Sequence, residues 1–164
     1  MESSQRQKIA AAARLATQQK YQAGPYLRPM PENAPEVTAL QAAAEQVRQQ
    51  LGLAAYDAAA VLELDHFITV QRTELPAQSP DREGVVTALG CFLGQCLVSA
   101  YRAEWAVGPD GSTGVGLANQ LFFNPFYLVN QQLNTGEAAS VAAFFRSVPQ
   151  RLVAASGARK RWIS

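Results

Sequence analysis

The chain has 164 residues, 48% of them hydrophobic and only 16% charged, with a formal net charge of +1. That length suits one domain with a sizeable core, or a domain plus an arm. The near-zero net charge excludes a global field that would steer nucleic acid or acidic substrates. Globular domains average about 25% charged residues, and here Gln stands where charge is common, as at Gln49-Gln50 and Gln131-Gln132. A surface so poor in charge is expected where a partner or a second copy covers it, or where composition is biased across a whole genome.

The N-terminus begins Met1-Glu2-Ser3-Ser4 and lacks the basic-then-apolar pattern of a signal segment. No uninterrupted apolar run approaches the ~18 residues of a membrane helix. A cytoplasmic location without membrane contact is expected. Ser3 or Ser4 suits the cap of a helix running to about Gln22, Ala-rich from Ile9 to Ala16 and with little to bury. Gly24-Pro25 ends it. Residues 24–35 hold Pro25, Pro29, Pro31 and Pro35 and predict an extended connector that Tyr26, Leu27 and Met30 can tack onto the core. Residues 1–35 are therefore an arm and connector, and residues 36–164 the domain. The arm is expected to dock on its own domain or on a second copy.

Val37, Leu40, Ala44, Val47 and Leu51 recur at steps of three and four, predicting a helix that Gly52 stops. A further helix is predicted from the cap Asp57 to about Gln71. Val61, Leu64 and Ile68 form its buried stripe, and Leu62 and Phe67 widen it. After the loop Pro76 to Pro80, a central helix is predicted from Asp81 to Ala103, with Asp81 as its cap. Gly90 and Gly94 lie one turn apart on that helix, and each costs about 1 kcal/mol of propensity against Ala. A strand or helix packed closely over that bare face would compensate.

Trp105 to Val107, the turn Gly108-Pro109-Asp110-Gly111, and Ser112 to Leu117 predict a hairpin. Leu121-Phe122-Phe123 follows as a third strand. Asn124-Pro125 reads as helix cap plus first helical residue, with Asn134-Thr135-Gly136 as the stop. A last helix is predicted over Glu137 to Ser147, ended by Pro149. The fold class expected is α+β: helices on a small antiparallel sheet of about three strands, with a helix-rich N-terminal half.

Chemistry is sparse. His66 is the one histidine, and its neighbour Asp65 points elsewhere on a helix. Cys91 and Cys96 are five apart in a predicted helix, too divergent to bridge, and read as buried reduced thiols. Ser112 is a turn residue, and Gly111, Gly114 and Gly116 alternate through a strand where a phosphate loop would precede a helix. Glu104, Asp110 and Glu137 are carboxylates that the spacing does not force together. No catalytic, metal-binding or cofactor-binding residue is predicted, and no cofactor. Alternation turns one of Phe122 and Phe123 outward from the sheet. Phe122, Phe123 and Tyr127 are the candidate interaction surface; Gly90, Gly94, Trp105, Asn124 and Pro125 are the candidate structural positions. Arg159-Lys160-Arg161-Trp162 can grip phosphates with Trp162 stacking, yet reads more simply as a solvated tail, so nucleic acid is not an expected partner.

Leu89-Gly90-Cys91-Phe92-Leu93-Gly94-Gln95-Cys96, then Glu104-Trp105, Asp110-Gly111, Asn124-Pro125-Phe126 and Gly136 resemble a group of uncharacterised bacterial proteins. That group has a Leu-Gly-x-x-x-Gly helix followed by a Trp-containing strand and a Pro-Phe helix start. The resemblance covers the C-terminal half and implies an α+β domain with no known activity. The chain departs from the group at Leu128, Gln131 and Ala139-Ser140, where lysines and an Asp-Ser stand. The function expected is a non-catalytic intracellular interaction or accessory protein, immunity-like, that associates with itself or with a protein partner. The alternative is a small-molecule binder or enzyme with a pocket between the sheet and the last two helices. Nucleic-acid binding through the C-terminal tail is a third reading.

Overall fold

The computed structural model describes residues 27–118 and 120–161, with side chains described up to Gly157. The helix expected over residues 3–22, Tyr26, Trp162 and the side chains of the basic run at 159–161 lie outside the described residues. In chain order the elements are β1 (Arg28–Pro29), α1 (Pro35–Gln50), α2 (Ala58–Glu74), α3 (Arg82–Tyr101), β2 (Glu104–Val107), β3 (Thr113–Leu117), β4 (Leu121–Phe123), α4 (Pro125–Thr135) and α5 (Val141–Arg161). A short 3-10 turn, Gly136–Ala139, joins the last two helices. The fold is α+β, with the sheet packed on helices.

The sheet has four antiparallel strands in the order β1-β2-β3-β4, one more than expected. The extra strand comes from the Pro-rich connector. Arg28 pairs with Val107 and Pro29 with Ala106, and the Met30 amide donates to the Trp105 carbonyl at 2.8 Å. Proline lacks the amide a central strand needs, but an edge strand tolerates it. The connector is thus part of the sheet.

Helix α3 is the hub. It contacts α1, α2, α4, β2 and β3, and Phe92, Leu93, Cys96 and Leu97 along it are buried. Among the described residues it is also the one helix long and apolar enough to cross a membrane by length and composition. Its two bare positions are covered by rings. A Cβ on Gly94 would lie 2.2 Å from the Trp105 indole, and one on Gly90 would lie 2.3 Å from the Phe126 ring. Trp105 is 3% exposed, and its indole N–H donates to Gln95 Oε1 at 3.3 Å. The propensity lost at each glycine is offset by an aromatic seated against backbone.

Several helix ends differ from expectation. Asp81 already has helical φ and ψ and makes no side-chain cap bond; Ser79 braces that turn, its carbonyl accepting from Arg82 and its hydroxyl from the Asp81 amide. Leu62 does not widen the stripe of α2 and is 54% exposed, because it sits ~100° around the helix from Val61. Pro149 does not end the last helix, which continues to Arg161. A proline there lacks the N–H that would reach the Phe145 carbonyl one turn back. The Tyr101 hydroxyl donates to that carbonyl at 2.7 Å and so replaces the missing bond.

The start of α5 is set by tertiary contacts. Ser140 caps it, its hydroxyl accepting from the Ala143 amide at 3.1 Å. The Asp65 carboxylate on α2 accepts a hydrogen bond from the Ser140 hydroxyl and another from the Ala142 amide at 3.0 Å. It therefore sits at the positive end of the helix dipole. Gln132 is fully buried between these elements. It accepts from the Val141 amide at 2.9 Å and donates to the Asp65 carbonyl at 3.3 Å.

Gly94→Ala tests the hub. The methyl would gain about 1 kcal/mol of helix propensity but must displace the indole, an overpacking that typically costs about 1–3 kcal/mol. Packing is expected to win, with a lower thermal midpoint by circular dichroism. A raised midpoint would show that Trp105 yields freely.

Candidate functional site

The pairing register decides which side chains reach which face of the sheet. Trp105 pairs with Val115 and Val115 with Phe123, so these three share the inner face. Phe123 meets Phe144 of α5 edge to face at 4.9 Å, and Trp105 meets Phe126 of α4 at 6.4 Å. These rings pack between the sheet and α4 and α5, where the small-molecule reading places its pocket.

Glu104, Gly116 and Phe122 pair across the outer face, with Ala106 opposite Gly114. Phe122 is the outward phenylalanine. Its ring lies over Gly108 and Gly114, where a Cβ on either would meet it at 2.6 Å. The other half of this face is a groove of about 190 Å³, lined by Leu27, Pro29, Arg102, Glu104, Ala106, Gly116 and Ala118. Gly116 leaves its own position bare, and a Cβ there would meet only ordinary contacts, the Ala106 methyl at 3.5 Å and the Leu27 methyls at 3.7 and 3.8 Å. Arg102 and Glu104, both in the lining, are exposed. Arg102 and Ala118 are the two described non-glycine residues with positive φ, at 56° and 55°. Both line the groove, and for L-residues that conformation is uncommon.

The sequence did not single out this groove. In sequence, Leu27 reads as an anchor of the connector, and Glu104 as a carboxylate without a forced neighbour and as half of the Glu104-Trp105 motif. The signal was present in the alternation of Gly114 and Gly116, which left one face of a strand bare. Placing Leu27 there required the pairing of the connector with β2, a contact between residues far apart in sequence.

The residues weighed for chemistry are dispersed. His66 is exposed on α2. Among the described residues no three His, Cys, Asp or Glu side chains, Glu104, Asp110 and Glu137 included, are grouped so that they could hold a metal ion. Ser112 is held in its turn by Asp110, whose carboxylate accepts from the Ser112 amide at 3.0 Å and hydroxyl at 2.6 Å. Cys91 and Cys96 are unbridged and buried, and burial pushes each thiol up to about 12. Asn124 accepts from the Tyr127 amide at 3.0 Å at the start of α4, Pro125 is the first residue of that helix, and the Tyr127 ring is 57% exposed.

A polar cluster joins the last turns of α1 to the loop that follows. The Glu45 carboxylate accepts from Arg48 Nε at 2.8 Å and from the Tyr56 hydroxyl at 2.6 Å. Arg48 also donates to the Leu53 carbonyl at 2.7 Å. Hydrogen bonds from Arg48, then from Tyr56, hold the Glu45 carboxyl well below its ordinary 4.5, at about 2. Desolvation, then the bond to Glu45, raises the Tyr56 phenol. Each donor stabilises the charged carboxylate, and the cluster clasps the loop between α1 and α2.

Comparison with protein-family profiles, with curated proteins and with solved structures gave no match. The bacterial resemblance therefore rests on its motifs alone.

The clasp has a pH signature. A carboxyl depressed on folding contributes stability that is complete above the unfolded value and lost as pH falls toward the folded one. For Glu45 that window runs from about 4.5 down to about 2. Glu45→Gln is expected to flatten the acid limb of a urea-denaturation series in that window. An unchanged limb would show that the clasp opens in solution.

Proposed function

We propose that this chain is a non-catalytic interaction protein that seats a protein segment on the outer face of its sheet. The groove over Gly116 carries the reading. Gly116 has no side chain and a Cβ there would meet nothing closer than 3.5 Å, so another chain can approach the strand closely at that position. The volume, about 190 Å³, lies below the ~300–1,000 Å³ of typical small-molecule sites. It suits one or two side chains of a docked segment. A lining that holds both Arg102 and Glu104 favours a ligand of mixed charge over a phosphate, since a carboxylate in the same lining opposes an anion. The neutral composition agrees with a face that spends time covered. An accessory or immunity-like role belongs to this class.

A photo-crosslinking amino acid in place of Glu104, with exposed Gln49 on α1 as the control position, tests the reading in cells that make the chain natively. Adducts to another polypeptide are expected from position 104, not from 49, and Gly116→Leu should reduce them several-fold. Absent adducts, or equal yields at both positions, would sink the proposal. A metabolite that raises the thermal midpoint, with its effect lost in Gly116→Leu, would replace it with small-molecule binding.

A further inference from the structure

We infer that β4 is a docking edge for a second copy of this chain, and that two β4 strands pair antiparallel about Phe122 to join two sheets into one. This surface is separate from the groove, whose lining includes no residue of β4.

The hydrogen-bond parity of the sheet is the first argument. The Met30 amide donates to the Trp105 carbonyl, so the backbone groups of Trp105 face β1. Alternation then turns those of Glu104 and Ala106 toward β3, where they meet Gly116 and Gly114. On β3 the groups of Val115 and Leu117 therefore face β4, opposite Phe123 and Leu121. Phe122 lies between those two and turns its N–H and C=O away from β3, to the free edge. A donor and an acceptor on one residue are what a second β4, related by a two-fold axis at Phe122, requires. Each Phe122 amide would donate to the other copy's Phe122 carbonyl, and Leu121 would lie opposite the other copy's Phe123 on the inner face.

The two edges of the sheet are unlike, and this selects the partner. On β1 the same parity turns Pro29 outward, and proline has no N–H to offer. β4 is Leu121-Phe122-Phe123, without the charge or proline that commonly protects an edge. A β1-to-β4 contact would build an open chain of copies, but it lacks a donor on the β1 side. A β4-to-β4 contact has one on both sides and closes at two copies.

Charge is the third argument. From Gly111 to Gly136 the sequence has no Asp, Glu, Lys, Arg or His, in a chain where 16% of residues are charged. Burial does not account for the whole run. Leu121, Phe122 and Phe123 are half-buried and Tyr127 is exposed. Near a two-fold axis every side chain meets its own copy, so a charge there would face its like. A neutral, aromatic edge is what such an axis demands. The Phe122 ring leaves the way clear, because it leans back across β3 onto Gly114 and Gly108. A strand of three residues makes a small contact, so the dimer is expected to be weak and reversible.

Sedimentation equilibrium and amide hydrogen exchange by NMR on the full chain test this, from low-micromolar to near-millimolar concentration. The average mass is expected to rise toward that of a dimer and no further. Exchange at the Phe122 amide should slow several-fold over the same range, while Leu121 and Phe123, bonded to β3, stay slow throughout. Replacing Phe122 by the corresponding α-hydroxy acid deletes that one N–H and keeps the ring; it should weaken association several-fold with the circular dichroism spectrum unchanged. Phe122→Pro should do the same. Val153→Ser, which removes the exposed valine of α5, should leave association as it is. A monomer at every concentration would overturn the inference. So would a dimer that the α-hydroxy acid does not weaken, a rise in mass without protection at Phe122, or dissociation by Val153→Ser, which would move the contact to α5. Species larger than a dimer would show that the contact does not close on itself and would overturn the two-fold pairing.

Discussion

The seating of Trp105 and Phe126 on the bare face of α3 sets the positions of everything else in the sheet. The indole reaches Gly94 only because that glycine has no Cβ, and Trp105 begins one residue into β2. With Trp105 facing the helix, pleating sends Glu104 and Ala106 to the other side. Pairing then carries the same parity through Val115 and Phe123 inward, and through Gly116 and Phe122 outward. A one-residue slip would turn Phe123 away from Phe144 and bring Phe122 inward. The groove is thus a consequence of where the tryptophan docks.

A second set of constraints is polar and joins helices that are far apart in sequence. Asp65 on α2 caps α5, Gln132 on α4 satisfies the Val141 amide, and Tyr101 at the end of α3 takes the carbonyl that Pro149 leaves open. In each case a side chain from one helix supplies a hydrogen bond that another helix's backbone lacks. An unmet buried group of this kind costs about 1–3 kcal/mol. Such bonds specify the relative placement of α2, α4 and α5 more sharply than apolar contact, which tolerates sliding.

Local chemistry was legible in the sequence, and tertiary substitution was not. Asn124-Pro125 announces a helix start, Gly52 takes φ of 66° beyond α1, and Asp57 accepts from the Ala60 amide; each is decided by residues within one turn. Pro149 reads as a terminator because the rescue comes from Tyr101, 48 positions earlier in the chain. Pro29 reads as a breaker because edge placement depends on a partner strand more than 70 residues away. Asp81 offers the right side chain for a cap and the neighbouring Ser79 is used. For the site, the outward parity of Phe122 or Phe123 was open to inspection, but which of the two turns outward was fixed by the Trp105 register. The groove needed that register and the return of the connector together.

The strain at the groove points the same way as its shape. Arg102 ends α3 and Ala118 opens the turn after β3, both with φ in the left-handed region. Glycine is the unstrained residue at such positions, and an L-residue there costs roughly 1–2 kcal/mol. At Gly52, Gly111 and Gly136 the chain does use glycine for positive φ. At the two described positions where it does not, the side chain that is kept lines the same groove. Arg102 brings a cation to a lining that also holds Glu104. Two left-handed residues therefore meet at the groove, beside a strand whose Gly114 and Gly116 carry no side chain on that face. The inner face has every ring seated against another element. The outer face has Phe122 folded down over Gly108 and Gly114, which leaves the adjoining half open.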